Sequence, residues 1–279
     1  MARSNYSFEK RQKELEKKKK KEDKQKRKQE KKQLRPEEDE QIGEGANLPV
    51  VVAEEEPELL LKRAAQQLCA KLRELLVSQR QVNLAVPGGR SVAKIFSQML
   101  QEEVDWQRVH LFIVDERLVP LDHPESNYQL LRDHLIDPLV EAGRIARGNA
   151  HPFIFDSAGP EESVREYERI LGEHGLRYDV ILLSAGEDGH VGALYPNHHS
   201  LADSHHGYIL MDDSPKPPPK RMTSSLSLLQ TAAVAVVLFV GEAKREAFEQ
   251  FSNPETPIDA CPAKLVRAVP DTTVFTDLA

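Results

Sequence analysis

The chain has 279 residues, 39% hydrophobic and 30% charged, which suits one sizeable α/β core, with two small domains as the other division open at this length. No apolar run approaches the ~20 residues of a membrane span, and the basic start is not followed by a signal-peptide core, so the expectation is a cytoplasmic protein without membrane contact. The net charge of −7 is unevenly spread: residues 1–36 carry 16 basic and 6 acidic side chains, which leaves the remainder near −17. Cys69 and Cys261 stand far apart with no Cys-x-x-Cys or Cys/His spacing, so neither a disulfide framework nor a zinc motif organises the chain.

Residues 5–34 combine strong helix formers with no glycine, proline or apolar stripe, so the segment can be helical yet has no face to bury. The plain reading is a solvated charge run. The other is an arm drawn weakly to RNA, ribosomes or another polyanion through residues 1–36, although no aromatic residue interleaves the lysines. At RPEEDEQIGEGANLP the composition turns acidic, dividing an arm and linker, 1–44, from a folded domain, 45–279.

Within that domain, Leu60, Ala64, Leu68, Leu72 and Leu75 recur at helical spacing and predict a helix over 57–79. A strand follows at 81–86, a helix at 90–101, a strand at 109–114, and helices over 126–140 and 161–174. Then come strands at 179–184, 207–211 and 233–240, a helix at 242–251 and a last strand at 272–275. VHLFIV and AVAVVLFV are apolar throughout, as strands buried on both faces are. The fold class is therefore α/β: a mostly parallel sheet flanked by helices on both faces, Rossmann-like, with ligands expected beyond the carboxyl ends of the strands.

Three loops at such ends carry chemistry. In AVPGGRSVAKIF a strand ends at Val86, Gly88 and Gly89 remove side chains, and Arg90 and Ser91 open a helix whose free N–H groups favour an anion; an ordinary strand–helix turn reads the same way. Asp115, Glu116 and Arg117 leave the next strand together, where a surface ion pair is the plain reading, and Ser126-Asn127 then reopen a helix. After DVILLS, Gly186 and Gly189 allow a tight turn around Asp188 and His190, the side chain here able to exchange a proton near neutral pH.

Taken together and in this order, the loops resemble those of the 6-phosphogluconolactonase family, whose superfamily includes glucosamine-6-phosphate isomerase/deaminase. VPGGRS resembles its [SP]GGxS phosphate loop, VDERLVPLDHPESNY its DERxVPxxxxxSN signature, and LLSAGEDGHVGALYPNH its LLGxGxDGHxASLFP signature. PKPPPKRMTSSLSLL is similar to its PPxRxTLT segment. The resemblance covers roughly residues 48–279 and departs at Ser184-Ala185, Val191-Gly192-Ala193 and MTSSLS, which bear on the shape of the pocket more than on its chemistry.

The resemblance implies hydrolysis of 6-phospho-D-glucono-1,5-lactone without metal or cofactor; monomer or homodimer is left open by the sequence. Lactone opening needs a base for water, a place for an oxyanion and an acid for the leaving ring oxygen. On that reading His190 is the general base, oriented by Asp188 or Asp115. Gly88, Gly89, Arg90 and Ser91, with Arg117 and Arg221, hold the phosphate. The histidine pairs at 198–199 and 205–206 lack the i, i+4 spacing and acidic partners of a zinc motif and are read as loop histidines. Two rival readings stand: an isomerase/deaminase with a carboxylate base at the Asp-Glu pair, and a polyanion-binding protein acting through its basic arm.

Overall fold

The computed structural model describes residues 48–278; the readings of residues 1–44 as a basic arm and acidic linker lie outside the described residues. Helix α1, Pro57–Ser78, starts with proline at its first position and an acidic first turn, and it buries Leu60, Ala64, Leu68 and Leu72, with Leu76 closing the stripe. Strands β1 (Val50–Ala53), β2 (Val82–Val86), β3 (Val109–Ile113), β5 (Val180–Ser184), β8 (Val234–Phe239) and β9 (Asp271–Thr276) form one sheet. Its order is β1-β9-β8-β5-β2-β3, and every pair in it is parallel.

The uniformly apolar strands have the predicted cause. Leu84, Val86, Leu182, Val236 and Leu238 join the core beneath α1 and α2 (Arg90–Met99). Their neighbours Ala85, Ile181, Leu183, Val237 and Phe239 face the opposite core, with α5 (Pro160–Glu173) and α6 (Arg245–Ser252). Alternate side chains thus enter two separate apolar layers, which is why these strands read as continuous apolar runs.

The helix predicted over 126–140 is three joined pieces: α3 (Asn127–Leu131), a π turn (Arg132–Ile136) and α4 (Asp137–Glu141). The π turn lies just before Pro138, which has no N–H to donate to an α ladder. Three strands went unforeseen. β1 is an exposed edge paired on one side, and β4 (Asp115–Arg117) and β7 (Arg221–Ser224) join β6 (Tyr208–Met211) in a small antiparallel sheet, β4-β7-β6. Among the described residues no helix is long and apolar enough to cross a membrane.

The topology fixes where a ligand can enter. From β2 the chain passes through α2 to β3 at one edge, whereas β8 lies on the other side of β5. The loops leaving β2 and β5, which are neighbours, therefore part company, and a crevice opens between them at their carboxyl ends.

Candidate active site

The loop after β2 ends in Gly89, which caps α2 at φ 119°, a conformation that suits glycine. Gly88 is required by contact: a Cβ there would lie 1.8 Å from Asn127 Oδ1. Asn127 opens α3 and its Nδ2 donates to the Asp115 carbonyl at 2.7 Å, so the glycine loop and the Asp-Glu-Arg segment are built against each other. Ser126 caps α3, its Oγ accepting from the Gln129 N–H at 3.1 Å.

Strand alternation separates the roles of the Asp-Glu-Arg segment. Glu116 is buried, and its carboxylate accepts from the backbone N–H groups of Arg117, Asn127 and Tyr128 and from Ser126 Oγ, at 2.7–3.0 Å. Burial raises its pKa, and those N–H donors partly oppose the rise. Glu116 thus holds the start of α3. Asp115 and Arg117 turn to the cleft, and in the antiparallel register Arg117 faces Arg221. Arg221 is buried, with Nε and Nη2 donating to the Pro218 and Pro217 carbonyls at 3.1 Å each and Nη1 lying 3.6 Å from Asp115 Oδ2. Arg117 Nη1 donates to the Glu125 carbonyl at 2.6 Å, while its Nε finds no partner among the described residues.

In the loop after β5, His190 Nδ1 lies 2.5 Å from Asp188 Oδ1, and the Gly186 N–H closes the turn onto the His190 carbonyl at 2.8 Å. A Cβ at Gly186 would fall 2.0 Å from the imidazole, so glycine makes room for the pair. Burial raises the Asp188 pKa, but its hydrogen bond with His190 and the His190 charge prevail and hold the carboxyl well below its ordinary value. An ionised Asp188 accepting from Nδ1–H leaves Nε2 as the basic nitrogen. Glu187 is exposed and apart from the pair.

These groups line one cleft of about 180 Å³, which brings Gly88, Gly89, Asp115, Arg117, His190 and Arg221 together. Arg90 and Ser91 begin α2 and are not among its lining residues. The open choice of carboxylate beside His190 falls to Asp188, since Asp115 is turned to Arg221. Lys244, missed in the sequence, also lines the cleft. It follows Gly241 at the mouth of β8, half-buried and without an ion pair among the described residues. Burial lowers its pKa, with the charges of Glu187 and Asp188 pulling it back. The signal for it was a lysine just past an apolar strand, absorbed there into a helix predicted from residue 242.

The expectation that the histidine pairs lack acidic partners is corrected. His198 and His199 both reach Asp213, at 3.3 and 3.0 Å, and His205 reaches Glu168 at 2.5 Å, partners too distant in sequence for local spacing to reveal.

A family model described as glucosamine-6-phosphate isomerases/6-phosphogluconolactonase matches residues 55–275. The chain belongs to this family. The 6-phosphogluconolactonase of Borreliella burgdorferi is 32% identical over 196 residues, covering 70% of this chain and 83% of that relative. The crystal structure of 6-phosphogluconolactonase from Thermotoga maritima, 24% identical, matches with a TM-score of 0.70 over 82% of this chain and 99% of the other. A monomeric glucosamine-6-phosphate deaminase, 19% identical, matches nearly as well, at 0.69 over 81% and 96%. The isomerase/lactonase fold therefore does not choose between the two chemistries, and the choice rests on the side chains in the cleft.

Proposed function

We propose that the chain hydrolyses 6-phospho-D-glucono-1,5-lactone to 6-phosphogluconate, the second step of the oxidative pentose phosphate pathway. His190 Nε2 takes a proton from water, which attacks the lactone carbonyl carbon and forms a tetrahedral oxyanion. Collapse breaks the bond to the ring oxygen, and the imidazolium returns its proton to that oxygen as it leaves. Asp188 holds the ring and favours its charged form between the two transfers. One imidazole performs both transfers, so the sequence of steps calls on no metal or cofactor.

The phosphate is held by the Gly88 and Gly89 N–H groups and the start of α2 at Arg90 and Ser91, with Arg117, Arg221 and Lys244 supplying positive charge. The observation that carries the reading is His190, paired with Asp188, opening into the same cleft as the two arginines and the glycine loop. The isomerase/deaminase alternative needs a free carboxylate base at the Asp-Glu pair. Glu116 is buried under four donors and Asp115 faces Arg221, so neither is poised for that task.

The test is a coupled assay in which glucose-6-phosphate dehydrogenase generates the lactone in place, with a no-enzyme control for spontaneous opening. His190→Ala is expected to lower kcat by at least ~100-fold, the usual effect of losing a general base. A fully active variant would overturn the mechanism, and ammonia released from glucosamine 6-phosphate would move the chain to the other branch.

A further inference from the structure

The opposite end of the sheet carries a second cluster that the proposed reaction does not use. His110 is the second residue of β3, His151 follows the short bridge of Ala150 to Leu111, and His174 caps the end of α5. Each offers one ring nitrogen, and these nitrogens all lie within 4.8 Å of one another. His110 Nδ1 and His151 Nε2 are 3.0 Å apart. The active-site cleft begins at Pro87, beyond the carboxyl end of β2, whereas His110 pairs in register with Asn83, near that strand's amino end.

We propose that His110, His151 and His174 bind one first-row divalent cation of the zinc type. The donor set is three imidazoles with no carboxylate or thiolate, which favours zinc, copper or nickel over magnesium or calcium. A tetrahedral centre with metal–nitrogen bonds of ~2.0–2.1 Å needs nitrogens ~3.4 Å apart. The closest pair must open by a few tenths of an ångström and the third nitrogen must close in, movements within the reach of side-chain rotation.

The rings are held by separate anchors. The His151 N–H donates to the Leu111 carbonyl at 2.9 Å, and its carbonyl accepts from Tyr167 Oη at 3.1 Å. The His174 carbonyl accepts from Asn83 Nδ2 at 2.8 Å. The Gln81 amide lies 2.9 Å from His174 Nδ1; turned so that its oxygen accepts from Nδ1–H, it leaves Nε2 for the cation, the outer arrangement that ligand histidines commonly have.

One further fact fits an ion. Asn83 is buried beside His110, and its Oδ1 finds no hydrogen-bond partner among the described residues; a cation-bound water in the fourth position would supply the missing donor. A bound ion would join β3, the 150–151 segment and the end of α5, elements distant in sequence.

The test uses the full chain, freed of metal with a chelator and titrated with Zn²⁺ or Co²⁺ alone. All 10 histidines lie at or after His110, so residues 1–47 add no imidazole. Expected are one tightly bound equivalent of Zn²⁺, the intense visible bands of four-coordinate Co²⁺, and a Tm raised by roughly 5 °C at a hundredfold excess over Kd. An anomalous-scattering map of Zn²⁺-soaked crystals should place the ion among the three rings. His174→Gln should abolish all of these, and Asp213→Asn, which disables the other histidine cluster, should leave them unchanged. Absence of binding by the native chain, a peak elsewhere in the map, or undiminished binding by His174→Gln would overturn the proposal.

Discussion

At the scale of single residues the candidate site depends on space as much as on charge. His190 can meet Asp188 at 2.5 Å because residue 186 has no side chain; a methyl group there would occupy the ring's own position, 2.0 Å from Nδ1 and Cε1 and 2.8 Å from Asp188 Oδ1. Gly186→Ala tests this without touching a titratable group. The added carbon should displace the imidazole and break its bond to Asp188, lowering kcat by about 100-fold, as loss of the base itself would. KM should change little, because the arginines and the glycine loop stay in place. Steady-state kinetics in the coupled lactone assay reads both quantities, and a Gly186→Ala protein with native kcat would show that the pairing in the turn does not matter to the chemistry.

At the scale of elements, the small antiparallel sheet connects the site. Thr223, buried in β7, lies opposite Asp115 in register, and its Oγ1 accepts from the Ala193 N–H at 3.1 Å, tying the His190 loop to the Asp-Glu-Arg strand. Thr223→Val keeps the shape and removes the acceptor, leaving a buried N–H unpaired at a cost of about 1–3 kcal/mol. Urea unfolding should show a lower midpoint with an unchanged slope. This sheet is also where the sequence was least legible. Strands such as VHLFIV announce themselves because both faces are buried, but DER and RMTS are short and polar and pair with each other across about a hundred residues, so no local period marks them. The three loops could be read from strand ends followed by turn residues. That Asp188 and not Asp115 reaches His190, and that Lys244 enters the same cleft, are tertiary facts which depend on the sheet order and on the Asp115–Arg221 contact.

At the scale of the whole chain, charge is unevenly divided. Residues 1–36 carry 16 basic and 6 acidic side chains, while the rest is near −17, and within that negative remainder Arg117, Arg221 and Lys244 gather at the cleft, where a dianionic sugar phosphate is favoured. Every group assigned to catalysis or phosphate binding lies between Gly88 and Lys244, and the family match begins at residue 55. Deleting residues 1–44 should therefore leave kcat/KM for the lactone within about twofold of the full chain. The same deletion should abolish any retention on immobilised RNA or heparin, and for the full chain that retention should fall steeply between 50 and 200 mM salt, as counterion release requires. Loss of hydrolysis on truncation would mean that the basic segment is needed for the reaction, and the proposed division into an arm and a catalytic domain would have to be abandoned.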